Sequence, residues 1–202
     1  MTTIAELPAG FADKVLSAQS TFRSVMEAMA RPGSVHHVVA TVGTPSPLMR
    51  GTAAIALTLF DHDTPIFLDA GMSQTSDLAK WLKFHSGAPV VADASICHFA
   101  LIANPSELAD LAGFALGSNE YPDRSTTLIL QVESLTQGRR YELCGPGIDG
   151  IATLHATIAP EDLFARLAIN ETLFPRGIDV VLVAGEAIVA IPRTTRLVRH
   201  GG

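Results

Sequence analysis

The sequence of 202 residues has little basic charge, few cysteines and no long apolar run. Its basic residues form no tract and its formal net charge is -6, which argues against nucleic-acid binding. Although 48% of its residues are apolar, none of its apolar runs approaches the roughly 20 residues of a membrane-spanning helix. The amino terminus lacks a basic region followed by an apolar stretch, so we expect a cytoplasmic protein without a secretory signal.

Cysteine and lysine, two reactive residue types, are both scarce. Cys97 and Cys144 are far apart in strand-like segments, and we expect both to be free thiols. Lys14, Lys80 and Lys83 are the only lysines, and all three fall on the solvated faces of predicted helices. Because pyridoxal phosphate is held through a lysine Schiff base, the sequence gives no support for that cofactor.

A β-hairpin is predicted near the carboxyl terminus, where two apolar runs, residues 178–183 and 187–191, flank a turn containing Gly185. Both runs are apolar at nearly every position rather than alternating, so we expect both faces of the hairpin to be buried. Such a hairpin brings Pro192 and Arg193 close to Pro175 and Arg176.

Asp179 is the only charged residue inside the first of these runs. Burying a carboxylate without a partner is costly, and the nearest candidates are Arg176 and Arg193. These residues could bind a ligand, or they could close the end of a sheet.

The remaining pattern alternates helices and strands at first and then pairs strands. It predicts one α/β domain over residues 1–202, with three layers, a mixed sheet and the carboxyl-terminal antiparallel hairpin. The predicted helices cover residues 12–30, 47–60, 75–85, 104–113 and 160–174, and the predicted strands cover residues 34–40, 66–69, 97–103, 126–133, 139–144 and 151–158.

Four local expectations accompany these elements. One face of the first helix should be buried, and its apolar residues are Val15, Ala18, Phe22, Val25, Met26 and Met29. The second helix, capped by Ser46 before Pro47, is apolar all round and is expected in the centre of a larger assembly or against a partner. A tight turn at residues 136–138 should join two strands as a hairpin, and residues 117–124 should form a mobile polar loop.

The short motifs provide weak support for catalysis. The turn of residues 145–147 could bind an anion, but Pro146 removes one backbone donor, so a simple turn is the other interpretation. Residues 61–63 (Asp-His-Asp) could bind a metal, although consecutive residues rarely face one ion. No serine has the context of a nucleophile elbow, and Cys144 is a weak nucleophile candidate. We therefore assign no catalytic residue and no metal ligand.

Arginines at the ends of predicted elements are the best candidates for ligand binding, because a phosphate-bearing ligand favours planar, bidentate donors. The alternative is that they pair with Asp179, Glu27 and the carbonyls at helix ends. The candidate residues are Arg31, Arg176, Asp179, Arg193 and Arg196, with Arg124 in a similar position.

Six segments, in order, carry a resemblance to one protein family: FRSVMEAMARPG (22–33), LFDHDT (59–64), GSNEYP (117–122) with STT (125–127), LCGPGI (143–148), FPRGID (174–179) and IPRTT (191–195). They span nearly the whole chain and resemble PhnH, the H subunit of the bacterial carbon–phosphorus lyase system for phosphonate breakdown. The resemblance implies the fold of the pyridoxal-phosphate-dependent transferases without the cofactor or its lysine. It also implies a homodimer in isolation and a core complex with the G, I and J subunits.

The resemblance also implies a function. With the G, I and L proteins, the H subunit supports formation of alpha-D-ribose 1-methylphosphonate 5-triphosphate from ATP and methylphosphonate. The radical iron–sulfur J subunit breaks the carbon–phosphorus bond, and two cysteines are too few for this chain to hold such a cluster alone. We expect a non-catalytic subunit that organises the complex. The alternatives are a subunit that contributes nucleotide- or phosphonate-binding arginines directly, and a stand-alone transferase-like enzyme.

Overall fold

The computed structural model describes residues 7–74, 76–108, 110–158 and 162–198. Its helices are α1 (Lys14–Ala30), α2 (Arg50–Leu59), α3 (Ser76–Ser86), α4 (Leu163–Leu167) and α5 (Asn170–Leu173). Its strands are β1 (His36–His37), β2 (Ile66–Leu68), β3 (Val90–Val91), β4 (Phe99–Ile102), β5 (Thr127–Gln131), β6 (Ser134–Cys144), β7 (Ala152–Thr157), β8 (Asp179–Ala184), β9 (Ala187–Ile191) and β10 (Arg196–Leu197). Within the described ranges these strands form a seven-stranded sheet and a three-stranded sheet.

The large sheet is mixed, as predicted, and has the order β1-β9-β8-β5-β4-β2-β3. Strands β3, β2, β4, β5 and β8 are parallel, whereas β9 is antiparallel to β8 and to β1. The predicted carboxyl-terminal hairpin is confirmed, since β8 and β9 pair from Val180–Ile191 to Ala184–Ala187 around the turn at Gly185.

Both faces of the large sheet are buried, which explains why its strands do not alternate between apolar and polar residues. Along β8, Val181 and Val183 pack into the core shared with α1, α2 and α3. Val180 and Leu182 point the other way, into a core shared with the three-stranded sheet β10-β6-β7 and α4. The sequence analysis did not predict that second, antiparallel sheet.

The predicted hairpin between residues 126–133 and 139–144 is wrong, because β5 lies in the large sheet and β6 in the small one. Residues 136–138 lie within β6, where its pairing with β7 shifts between Ser134 and Arg139. Gly138 has φ +108°, and a Cβ there would lie 2.6 Å from the carbonyl oxygen of Ala156. The glycine thus permits a close approach to β7 rather than a chain reversal.

Helix α1 buries only part of the apolar surface predicted for it. Val25 and Ala28 are buried, but Val15, Phe22 and Met26 are 64%, 50% and 51% exposed. The apolar arc of the helix is wider than its contact with the chain's own core, so part of that arc faces outward.

Helix α2 packs inside the core of this chain, with residues 51–56 all buried. Its uniformly apolar composition therefore needs no partner, and the expectation based on it is wrong. The helix begins at Arg50 and not at Pro47, and its N-cap residue is Met49 rather than Ser46. The side chain of Gln131 accepts a hydrogen bond from the Met49 N–H at 2.6 Å and donates one to the Pro47 carbonyl at 3.0 Å.

Three other predicted elements are shorter or broken. The helix expected at 104–113 consists of two 3-10 turns, Pro105–Glu107 and Leu111–Gly113, and the strand expected at 34–40 pairs only at His36–His37. The helix expected at 160–174 is divided into α4 and α5, and its predicted start at 160–161 lies outside the described residues, as does Thr75. In the described part of the chain, no helix combines the length and apolarity that a membrane crossing requires.

The two thiols differ in environment, which predicts different reactivity. Cys97 is completely buried and donates to the Ala94 carbonyl at 3.2 Å, and this burial raises the pKa of its thiol. Cys144 is only partly buried. We expect iodoacetamide at mildly alkaline pH to alkylate Cys144 in the native protein and Cys97 only after denaturation, since the thiolate is the reactive form. Peptide mass spectrometry measures both sites, with the denatured protein as control, and equal native rates would contradict the prediction.

Candidate functional site

An ion pair between Asp179 and Arg193 lies where the carboxyl-terminal hairpin opens, at the amino-terminal end of the parallel strands. The Arg193 backbone N–H donates to Asp179 Oδ1 at 2.7 Å, and Arg193 Nε donates to both carboxylate oxygens at 3.2 Å. Each side chain is only 14% exposed. Arg193, one of the two expected candidates, is therefore the partner of Asp179.

The rest of the Arg193 guanidinium group holds two further segments. Its Nη1 donates to the carbonyls of Pro122 at 2.8 Å and Pro175 at 3.3 Å, and its Nη2 donates to Ser125 Oγ and to Asp179. A guanidinium group has five N–H donors, and all five are engaged here. Residues 117–124, expected to be mobile, are thus tied to the hairpin through Pro122 and through Ser125, which follows them. Arg193 has no N–H left for a phosphate unless it gives up one of these bonds.

Asn170 supports the same region and was missed by the sequence analysis. It is 4% exposed, its Nδ2 donates to the Ile178 carbonyl at 2.9 Å, and its Oδ1 accepts from the Ile178 N–H at 3.0 Å. Gly177 has φ +141° and a Cβ there would lie 2.6 Å from Asn170 Oδ1, so the close approach requires glycine. An asparagine inside a predicted helix, where its propensity is low, was the only available signal.

A cavity of about 280 Å³ lies beside this ion pair and brings Arg193 and Arg196 to one place. Arg196 is exposed on β10, opposite Cys144, and Phe174 is 64% exposed on the cavity wall. The turn at Gly145 forms another side of the cavity, and a Cβ there would lie 2.7 Å from the Thr194 carbonyl. An outward-facing guanidinium beside an aromatic ring has the donors for a phosphate group and a surface for a base to stack on.

The other candidate arginines lie elsewhere or face other groups. Arg31 is exposed and pairs with Glu27 at 3.5 Å, on α1 and its cap. Arg176 is partly buried, and its Nε has no hydrogen-bond partner within the described ranges. Arg124 lies over the Tyr121 ring, 4.2 Å from its centroid. Of these three arginines, none lines the 280 Å³ cavity.

The segment of residues 61–63, considered above as a metal site, has a local structural role. Asp61 accepts from Thr64 Oγ1 at 2.6 Å and from the Asp63 N–H, and these bonds lower the pKa of the Asp61 carboxyl group. It therefore forms the turn between α2 and β2. Among the described residues there is no group of three or more His, Cys, Asp and Glu side chains placed to hold a metal ion.

Ser34 and His36 are hydrogen-bonded, but the direction of the bond does not suit a serine nucleophile activated by a histidine base. Ser34 Oγ donates to the Arg31 carbonyl at 2.5 Å and lies 2.8 Å from His36 Nε2. Because the hydroxyl proton is directed to a carbonyl, the imidazole must donate to Ser34 Oγ rather than take its proton.

The fold and this region together define an α/β protein whose mixed sheet is closed at one end by an internal arginine–aspartate pair. A family model described as bacterial phosphonate metabolism protein (PhnH) matches residues 9–198. The chain belongs to this family, as the six sequence segments indicated.

Two curated relatives extend along nearly the whole chain. It is 44% identical over 206 residues to the alpha-D-ribose 1-methylphosphonate 5-triphosphate synthase subunit PhnH of Rhizobium meliloti (strain 1021), covering 99% of this chain and 100% of the relative. It is 27% identical over 199 residues to a protein of Stutzerimonas stutzeri provisionally named as the C-P lyase subunit HtxG, covering 97% and 95%.

Because every N–H donor of Arg193 is hydrogen-bonded within the protein, we predict a large loss of stability when the side chain is removed. Arg193→Ala leaves the carboxylate of Asp179 largely buried without its ion-pair partner, and we expect unfolding free energy to fall by about 3–5 kcal/mol. Arg196→Ala, at an exposed position, should change it by less than about 0.5 kcal/mol. Chemical denaturation measures both. A loss below about 1 kcal/mol for Arg193→Ala would show that the pair behaves as an exposed one.

Proposed function

We propose that the chain is a non-catalytic subunit of the carbon–phosphorus lyase core complex. In this role it supports formation of alpha-D-ribose 1-methylphosphonate 5-triphosphate from ATP and methylphosphonate. The observation that carries the proposal is family membership together with a relative, 44% identical over its whole length, that is named as a subunit of the corresponding synthase. All five N–H donors of the Arg193 guanidinium group bond to other parts of the chain, which supports a structural role for this side chain.

Its partners in this proposal are the G, I and J subunits of the complex, in the cytoplasm. The chain brings no pyridoxal phosphate and no iron–sulfur cluster, and its fold is a variant of the pyridoxal-phosphate-dependent transferases without the cofactor. The lysine positions support this proposal. Lys14, Lys80 and Lys83 are all exposed on helices, with Lys80 beside Asp77 at 3.5 Å and Lys83 bonded to the Gly87 carbonyl at 3.0 Å.

Reconstitution tests the proposed role directly. Alone, the protein should form no ribose triphosphate product from ATP and methylphosphonate. Mixed with the G, I and L proteins it should support formation of the product, detected by ³¹P NMR, without added pyridoxal phosphate. The mixture lacking this chain is the control. Turnover by the isolated chain, or equal turnover without it, would contradict the proposal.

A second candidate function is direct ligand binding by Arg196, supported by its position with Phe174 on the 280 Å³ cavity. In this case Arg196→Ala should weaken ATP binding by the reconstituted complex and leave the stability of the chain unchanged. Arg50→Ala is the matched control, because Arg50 is 67% exposed and lies outside that cavity. Equal ATP binding by both variants would exclude this function.

The isolated chain is proposed to form a homodimer through the exposed apolar residues of α1. Val15, Phe22 and Met26, which we call the α1 stripe, are seven and four residues apart and so lie on one side of the helix. Exposed apolar patches mark interaction surfaces. In a dimer with two-fold symmetry, the patch of one subunit packs against the same patch of the other.

Substitution within the α1 stripe tests this dimer. Phe22→Asp places a charge where the second copy would pack, so we expect a monomer by light scattering at micromolar concentration, against a dimer for the unmodified protein. Phe84→Asp is the control, because Phe84 is 74% exposed on α3 and outside the stripe. A monomeric unmodified protein, or a dimeric Phe22→Asp variant, would exclude this dimer.

A further inference from the structure

A second cavity, of about 170 Å³, lies at the carboxyl ends of the parallel strands, whereas Arg193 lies at their amino ends. It is formed where β2 and β4 end, and is lined by Phe67 and Ile102 from these strands and by residues of the two 3-10 turns that follow β4. In open parallel sheets, ligands bind outside the carboxyl ends of the strands. The position is therefore that of a binding site, whereas the Arg193–Asp179 pair is at the amino ends.

The walls of this cavity are aromatic and aliphatic. The rings of Phe67 and Phe114 are 6.0 Å apart between centroids and at 85° to each other. Leu108 and Ile102 complete the apolar lining. A cavity of similar size, about 150 Å³ and lined by apolar side chains, holds one benzene molecule. The space thus fits a compact group of a few carbon atoms.

The charges around the cavity are all negative. Asp69, Glu107 and Asp110 line it, and none of the residues lining it is Lys, Arg or His. Within the described ranges these carboxylates form no ion pair. Asp69 accepts from the backbone N–H groups of Met72, Ala103 and Asn104 at 2.7–3.1 Å, Glu107 accepts from Asn104 Nδ2 at 2.7 Å, and Asp110 accepts from the Ala112 N–H at 3.1 Å.

Arg166 lies beside the cavity, next to the backbone of Leu108, but its side chain is engaged elsewhere. Arg166 pairs with Asp162 at 3.1 Å and donates to the Leu108 carbonyl at 3.1 Å, without lining the cavity. Within the described residues, the three carboxylates are thus held in place by neutral amides, and no basic side chain forms an ion pair with them.

We propose that this cavity binds a small organic cation, an ammonium group carrying methyl or short alkyl substituents. Its alkyl groups would fill the apolar space, and its charge would interact with the aromatic wall that Phe67 and Phe114 form and with the carboxylates at the rim. Phosphate-bearing molecules are excluded, because the same carboxylates repel them. The site is thus independent of the proposed role in ribose triphosphate formation.

Binding of charge-matched probes tests the proposal. Choline, its neutral isostere 3,3-dimethylbutan-1-ol and the anion 3,3-dimethylbutanoate are titrated into the full-length protein at constant ionic strength, with binding followed by NMR. We expect choline to bind at least about fivefold more tightly than the neutral isostere, and the anion not to bind. Equal affinity for choline and its isostere, or no choline binding at millimolar concentration, would overturn the proposal.

Variants locate the binding. Glu107→Gln and Asp110→Asn keep an oxygen to accept from Asn104 and Ala112 but lose the charge, so each should weaken choline binding about two- to fivefold. Phe114→Leu keeps the wall apolar but removes the aromatic ring, so it should also weaken choline binding. Glu133→Gln, at an exposed carboxylate outside the cavity, is the control. If Phe114→Leu does not fold, the two exposed rim variants decide, and unchanged choline affinity in both would exclude the site.

Discussion

The ion pair between Arg193 and Asp179 is the interaction on which the carboxyl-terminal half of this protein depends. Burying a charge is costly unless it is both paired and hydrogen-bonded, and here one guanidinium group meets both conditions by joining the hairpin to residues 117–125 and to the Pro175 turn. A lysine has three donors on one atom and could not reach acceptors in all these directions. At this position, then, the preference of the chain for arginine over lysine has a structural cause.

The two ends of the parallel strands have different properties as a result. At the amino end, the Arg193–Asp179 pair and Asn170 are hydrogen-bonded internally, and the neighbouring cavity is lined by the exposed side chains of Arg196 and Glu171. At the carboxyl end, Asp69 and Gln131 use their side chains to hold neighbouring backbone segments in place. Between β2 and β4, this arrangement leaves an apolar space with negatively charged side chains at its rim. The two ends of the sheet therefore differ in the charges that line their cavities.

Family membership and the exposed surface of the structure both bear on how this protein assembles. The chain belongs to the PhnH family, and its relatives bear the names of subunits. The polar groups of the Arg193 region are engaged with one another, whereas the α1 stripe exposes apolar surface that the described part of the chain does not cover. Under the proposed function, burial of that surface contributes to association, because removing apolar area from water is favourable whichever protein supplies the partner.

The sequence alone determined those features that depend on neighbouring residues. Unbroken apolar runs around Gly185 predicted the hairpin and its burial, the lone Asp179 within such a run predicted an arginine partner, and six ordered segments indicated the family. Tertiary structure decided which side of α1 is buried, that β5 and β6 belong to different sheets, and that Gln131 bonds the backbone of Met49 before α2. It also placed Ser125, Pro122 and Asn170 around the hairpin. Local patterns cannot specify these contacts, because each joins residues whose proximity arises only when the whole sheet has formed.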